Sequence, residues 1–347
     1  MSSIRALGLV SGGLDSTLAV RLMLDQEIDV IGVNFNTGFC ISDTRRQVQR
    51  RKDVNVNLRH EALRAGSDLG IPVEIVDVSQ DYLEIVTNPR WGYGKNANPC
   101  VDCRIMMLRK AKAMMQDLDA SFVFTGEVLG QRPMTQHRAT LRQIEKQSEL
   151  LGYILRPLSA QKLPETEVEK QGWVDRNRLK GFYGRGRKPQ LELAAQFGIS
   201  DFPQPAGGCC FLTDPSFARK FFDFLQHRNS PEPVKLEDFL LLKVGRHLRL
   251  PAGIKLVLGR DEAENNYLET FKSGRWALRP MNTVGPLGLI ENGVSQDVLD
   301  QAARVLARYS DNQSLDSVEV SCEHNGYASI ISAQPMSRDE ASRLIIS

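Results

Sequence analysis

Short apolar runs and amphipathic stretches take turns along the first 160 residues. The strand-like runs are rich in aliphatic and β-branched residues: IRALGLV (4–10), DVIGVNFN (29–36), PVEIVDVS (72–79) and SFVFTGEV (121–128). Between them, DSTLAVRLMLDQ (15–26), NLRHEALRAGSDLG (57–70) and the segment after Cys103 read as helices. This alternation predicts parallel strands joined by crossover helices, an open, doubly wound α/β sheet. In such sheets ligands bind beyond the carboxyl ends of the strands, where the connecting loops gather.

The pattern changes from Gln161 to Pro205, a polar, Gly/Pro/Arg-rich stretch around one short helix, PQLELAAQFG (189–198). After GGCCFLTDPSFARKFFDFLQHR (207–228) comes a proline-containing break, NSPEPVK. Beyond it, short strands (GIKLVLG, YASIISAQP) and a helix (SQDVLDQAARVLARYS) predict a separate α+β domain. The expected divisions are 1–160, a linker or insertion module at 161–230, and 235–347.

Composition narrows the class. The apolar fraction is 41% and the charged fraction 25%, ordinary for a globular protein. No apolar stretch approaches the roughly 18 residues a membrane span needs. Residues 1–10 run directly into a strand without the features of a secretory signal, so the expected location is the cytoplasm, with no membrane partner. Six cysteines in 347 residues are too sparse for a disulfide scaffold, and a reducing compartment favours thiols that ligate metal or do chemistry.

Two motifs carry that chemistry. In LGLVSGGLDSTLAV, residues Ser11, Gly12, Gly13, Leu14, Asp15 and Ser16 lie between a hydrophobic strand and an amphipathic helix. The glycines let the backbone turn tightly, and the N–H groups at the helix start, with the hydroxyls of Ser11 and Ser16, suit phosphate oxygens. No lysine follows the glycines, so this is not a Walker loop. The stretch resembles the SGGxDS motif of the PP-loop ATP pyrophosphatases, whose fold is that of the HUP or adenine-nucleotide alpha-hydrolase domains and which cleave ATP between its α and β phosphates. That resemblance implies ATP and Mg²⁺ as cofactors, with Asp15 near the metal and the reacting groups. It also implies adenosine contacts at Asn34 and Phe35, and close backbone approach to the nucleotide at Gly126. Glu127, Gln131 and Arg132 are polar groups on the same loop as Gly126, and Arg132 is a candidate for neutralising phosphate or RNA charge.

The second motif is NPCVDCR (98–104). An isolated Cys-x-x-Cys serves thioredoxin-like couples, zinc sites and iron–sulfur sites alike. Far downstream, PAGGCCFLTD supplies Cys209 and Cys210, so three thiols from two loops are available to converge. Over roughly residues 5–225 the chain resembles the tRNA-specific 2-thiouridylases. Cys103 stands at the place of one catalytic thiol of that family and Cys210, in GCCF, at the place of the other. The family pattern does not require a thiol where Cys100 stands, and this departure resembles the iron–sulfur-dependent branch of tRNA thiolases. There the resemblance implies a [4Fe–4S] cluster on Cys100, Cys103 and Cys210. The competing route keeps the thiols metal-free: Cys210 carries a persulfide and Cys103 releases the product by forming a disulfide. The helix start after Pro99, together with Arg104, is expected to lower a thiol pKa from its reference near about 8.5. Cys40 and Cys322 read as packing residues, and Cys209 as either an alternate ligand or a packing residue.

Basic residues cluster in three places. RRQVQRRK runs from Arg45 to Lys52. RNRLKGFYGRGRK holds Arg176, Arg178, Lys180, Arg185, Arg187 and Lys188 with no acid, interleaved with Phe182 and Tyr183. Cations with aromatics suit phosphate contact plus base stacking. The third, LKVGRHLRLPAGIKLVLGRDEAENNYLE (242–269), resembles the RNA-binding domain of the NFACT type, with Arg246, His247, Arg249 and Arg260 as RNA-facing candidates. Together these readings predict an ATP-dependent tRNA sulfurtransferase that adenylylates a uridine carbonyl and replaces its oxygen with sulfur. Its partners would be tRNA, a sulfur donor (sulfide or a persulfide carrier) and, in a homodimer, a second copy of itself. Two other classes stay open at this point, a PP-loop ligase acting on a small carboxylate and a non-catalytic RNA-binding protein.

Overall fold

The computed structural model describes residues 4–40, 60–203, 210–228, 234–251, 253–311 and 316–346. The basic cluster Arg45–Lys52 and Cys209 lie outside the described residues. The chain divides into two units, one of residues 1–38 and 58–209, the other of residues 39–57 and 210–347.

The first unit is built on strands β1 (Arg5–Leu9), β2 (Asp29–Asn36), β3 (Val73–Asp77), β4 (Phe122–Thr125) and β5 (Ile154–Leu155). They pair in the order β3-β2-β1-β4-β5, and every pairing is parallel. Helices α1 (Leu14–Leu24), α2 (Glu61–Leu69), α3 (Ser79–Thr87), α4 (Cys100–Asp117), α5 (Arg138–Gln147), α6 (Glu167–Lys170) and α7 (Lys188–Gln196) complete it. Along the central strands β1 and β4 alternate residues bury on opposite faces, the period-two geometry of a sheet covered on both sides. Thus Ala6, Phe122 and Phe124 join a core with Leu14, Leu18 and Val20, whereas Leu7 and Val123 join one with Ile105, Leu108 and Ile144. The strand order reverses between β1 and β4, and a crevice opens at the carboxyl ends of such a pair. The phosphate loop leaves β1 there, and the Gly126 loop leaves β4 beside it.

The Arg-rich stretch beyond residue 160 packs into this unit rather than forming a module beside it. Val168, Val174, Leu179, Leu193 and Ala194 are buried in the α1-side core, with Trp173, Phe182 and Phe202 packed against them. Outside the helix at 189–198 the apolar residues of this stretch are sparse and irregularly spaced, so no periodic pattern announced their burial.

The second unit holds a six-stranded sheet of β6 (Arg246–Arg249), β7 (Lys255–Leu258), β8 (Arg275–Pro280), β9 (Gly288–Glu291), β10 (Val318–His324) and β11 (Tyr327–Ala333). Its order is β11-β10-β8-β9-β7-β6, antiparallel throughout. Helices α8 (Pro215–His227), α9 (Leu236–Leu242), α10 (Glu262–Leu268), α11 (Gln296–Arg308) and α12 (Arg338–Arg343) accompany it. Leu256 and Leu258 face the core that α11 fills, and Val257 faces the one holding Leu241 and Tyr267. Among the described residues no helix is long and apolar enough to cross a membrane.

Candidate active site around the phosphate loop

The turn from β1 into α1 is held open by its neighbours. Gly12 has φ +77°, and a Cβ there would lie 2.2 Å from the Glu61 carbonyl carbon, so only glycine fits. Arg64 on α2 donates to Gly12 O at 3.1 Å while pairing with Glu61 at 3.0 Å and Asp68 at 2.6 Å. Ser16 Oγ donates to Gly13 O at 2.9 Å and sits 3.2 Å from Ser11 Oγ, which gathers both hydroxyls at the helix start. Orphan N–H groups of the first helical turn complete an anion-binding end.

Asp15 sits in that first turn. Its Oδ2 accepts from Gln131 Nε2 at 3.0 Å, while its Oδ1 is buried with no hydrogen-bond partner. Burial pushes the carboxyl above its ordinary pKa, an effect only partly offset by the Gln131 hydrogen bond and the charges of Arg187 and Arg132. Arg187 stands just before α7, and its Nε is likewise buried without a partner. Sequence reasoning placed this arginine among the RNA contacts. The fold places its charge at the phosphate loop, because the stretch around it is tied to the loop after β4. Leu129 N donates to Ser159 Oγ at 2.9 Å, Ser159 Oγ donates to Phe182 O at 2.8 Å, and Gly184 N donates to Leu129 O at 2.8 Å. Tyr183, 70% exposed, lies against Gly130 on that loop.

Other expected site residues turn inward. Asn34 Nδ2 donates to Val10 O at 2.8 Å and so braces the end of β1, and Phe35 packs against the α4-side core. A Cβ on Gly126 would lie 2.5 Å from the backbone of Asp15 and Ser16. The missing side chain of this glycine thus lets the loop after β4 lie directly against the start of α1. Glu127 is buried between Arg104 at 3.1 Å and Arg156 at 3.1 Å, and Arg156 also pairs with Glu145. Burial raises the Glu127 carboxyl, but the two arginines and the hydrogen bonds from Arg156 and Thr125 more than offset this and hold it below its ordinary range. Arg104, expected beside the thiols, thus has its charge committed to Glu127. Arg64 and Arg156 escaped sequence reasoning because nothing in their local pattern separates a buried arginine from a surface one.

Cys100 opens α4 and Cys103 lies in its first turn, its N–H donating to Pro99 O at 2.9 Å. Asp102, on the same turn, accepts from the backbone N–H groups of Arg90 and Trp91 at 3.1 and 3.0 Å, tying the preceding loop to the helix. Cys210 belongs to the second unit. Among the described residues no three His, Cys, Asp or Glu side chains form a group able to hold a metal.

The basic candidates divide. Arg176 pairs with Glu169 at 2.5 Å and donates to Ala160 O at 2.7 Å, and Arg178 donates to Asp25 O. In the second unit Arg246 lies over the Tyr309 ring at 4.9 Å, Arg249 pairs with Asp223, and Arg260 donates to Gly245 O at 2.9 Å. His247 is not on the surface: it is 1% exposed, with Nε2 2.8 Å from Val244 O. Arg185 and Lys188 are exposed and Lys180 half-buried, all on the stretch tied to the phosphate-loop side.

Residues 5–171 match the profile described as the tRNA methyl transferase HUP domain, and residues 245–345 that of the NFACT protein RNA binding domain. The tRNA-specific 2-thiouridylase MnmA of Xanthobacter autotrophicus is 25% identical over 303 residues, which cover 82% of this chain and 70% of that protein. The MnmA of Symbiobacterium thermophilum is 25% identical over 264 residues, 71% of this chain and 62% of its own length. A solved 4-thiouridine synthetase in complex with RNA and ATP is 20% identical, covering 68% of this chain and 52% of its own, at a TM-score of 0.36, too low to bear on the site.

Proposed function

We infer from its make-up, a PP-loop-superfamily HUP domain joined to an NFACT-type RNA-binding domain, that this chain is an ATP-dependent tRNA uridine sulfurtransferase. The relatives named above act on tRNA uridine, and the chain aligns with most of their length. ATP would lie with its phosphates on the Ser11–Ser16 turn. The uridine carbonyl oxygen attacks the α-phosphate and expels pyrophosphate. The adenylylated carbon then carries AMP as a good leaving group, which a sulfur nucleophile displaces. Activation splits one hard substitution into two easier ones.

The chain's own groups suit these steps. The first-turn N–H groups and the Arg132 and Arg187 charges match the growing charge on pyrophosphate. Mg²⁺, when bound, would neutralise that charge further, and the partnerless Oδ1 of Asp15 is the ligand this site offers it. Tyr183 and Arg185 are exposed on the adjoining stretch, where an aromatic face and a cation suit a splayed base and its phosphate. Cys103 and Cys210 are the thiols of the sulfur step, with Cys210 as persulfide carrier and Cys103 releasing the product. The cluster route would add Cys100, and the Cys100→Ser variant separates the two: full activity without Cys100 leaves the thiol route. The reaction would run in the cytosol, where thiols stay reduced.

The single observation that carries this reading is the joining, in one chain, of a match to the tRNA methyl transferase HUP domain over residues 5–171 with a match to the NFACT protein RNA binding domain over residues 245–345. The test is pyrophosphate release from ATP with and without tRNA, followed by thionucleoside analysis of the digested tRNA. Release that requires tRNA, with a thionucleoside formed when a persulfide donor is supplied, is the expected result. Release indifferent to tRNA would refute the proposal in favour of a small-carboxylate ligase, and no release at all in favour of an RNA-binding protein.

A further inference from the structure

Cys40 read as an isolated packing residue in the sequence, 170 positions from Cys210. In the fold the two face each other. They form an antiparallel bridge within the second unit, and Phe211 N donates to Phe39 O at 3.0 Å. That hydrogen bond joins the residues flanking the cysteines, which makes Cys40 and Cys210 a non-hydrogen-bonded pair, the kind whose side chains come closest. Such pairs bring their α-carbons to about 4.5 Å, inside the roughly 4.4–6.8 Å that a disulfide spans.

The register of the pair is set by aromatic packing. Phe39 is fully buried, with its ring centroid 5.5 Å from that of Phe239 and 6.3 Å from that of Phe217, which also meets Phe211 at 5.9 Å. The Lys243 ammonium lies over both Phe39 and Phe211, at 5.7 and 5.5 Å. Slipping the bridge by one residue would drive Phe39 out of this cluster. Cys210 is buried and Cys40 half-exposed, so the pair has one sheltered and one accessible thiol.

We propose that Cys40 is the resolving thiol of Cys210. This rests on the sulfurtransferase reading above. After sulfur transfer on the thiol route, Cys210 is held in a disulfide with another sulfur, that of Cys103. The Cys40 thiolate attacks Cys210 Sγ, one S–S bond breaks as another forms, Cys103 leaves as a thiolate, and no external oxidant is consumed. A dithiol reductant then opens the Cys40–Cys210 disulfide by the same exchange and returns both thiols.

Two measurements on the full-length protein test this. In the first, the protein is oxidised with diamide, its remaining thiols are alkylated, and a non-reducing digest is mapped by mass spectrometry. The expected product is a peptide pair joining Cys40 to Cys210. Cys210 linked to Cys209 or Cys103, with Cys40 alkylated, overturns the proposal, and this readout does not depend on thiolation. The second follows tRNA thiolation by Cys40→Ser under limiting dithiol. Turnovers after the first are expected to be roughly tenfold slower and to recover with excess dithiothreitol. A variant that cycles like the parent overturns the proposal as well. If the parent thiolates no tRNA, the functional reading falls, while the disulfide map still judges the pairing.

Discussion

Replacing Gly126 with alanine perturbs the site through a single methyl group. The added Cβ would lie 2.5 Å from the Asp15 carbonyl carbon and the Ser16 nitrogen and 2.6 Å from Asp15 O. These are backbone atoms at the start of α1, so no side chain can swing aside. Ordinary contact begins near 3.4 Å, and the β4 loop or the helix start must therefore retreat by about 0.9 Å. Overpacking of this kind costs about 2 kcal/mol, which in a unit of this size lowers the melting temperature by roughly 4–8 °C. The catalytic effect should be larger than the thermal one. Asp15 and Ser16 move with the backbone that carries them, and a displacement near 1 Å at a reacting centre costs on the order of 10²-fold. Calorimetry and tRNA-dependent pyrophosphate release, measured on parent and Gly126→Ala side by side, read both numbers. A variant with parental melting temperature and parental kcat/KM would show that the two segments are not in this contact, and the reasoning would fail.

Three further outcomes follow from the same geometry. Asp15→Asn removes a carboxylate that burial disfavours, so pyrophosphate release should fall on the order of 10²-fold while the melting temperature at pH 7 holds or rises; a large drop in melting temperature would mean that the charge is structural. Glu127→Gln leaves Arg104 and Arg156 without their shared carboxylate and should cost about 3–5 kcal/mol in denaturant unfolding. Because the Glu127 pKa is depressed in the fold, its contribution is present above the unfolded value and lost as pH falls through the folded one, so the parent–variant gap should narrow in acid. Lys220 and Lys255 are pushed down to about 8 by burial, so between there and the ordinary lysine range the unfolded chain holds more protons and stability should rise with pH. The rise is at most about 1.4 kcal/mol per pH unit for each lysine, and Lys255→Met should flatten it in pH-resolved melts; an unchanged slope counts against the buried charge.

The sequence alone determined what depends on neighbours in the chain. Apolar spacing and glycine placement gave the alternating strands and helices of the first unit, and the SGGLDS turn announced an anion-binding helix start, because a turn's backbone demands are met by the residues in it. The α+β character of the second unit was legible for the same reason. Only the tertiary structure decided which distant groups meet. It brought Arg187 from an apparent RNA loop to Asp15, committed Arg104 to Glu127, buried His247, and set Cys40 opposite Cys210. Each of these depends on where a strand or loop returns after tens of residues, and a lone arginine, histidine or cysteine carries no local pattern that records its partner. Burial and pairing are properties of the packed core, and there the same side chain becomes a ligand, a brace or a nucleophile according to what lies beside it.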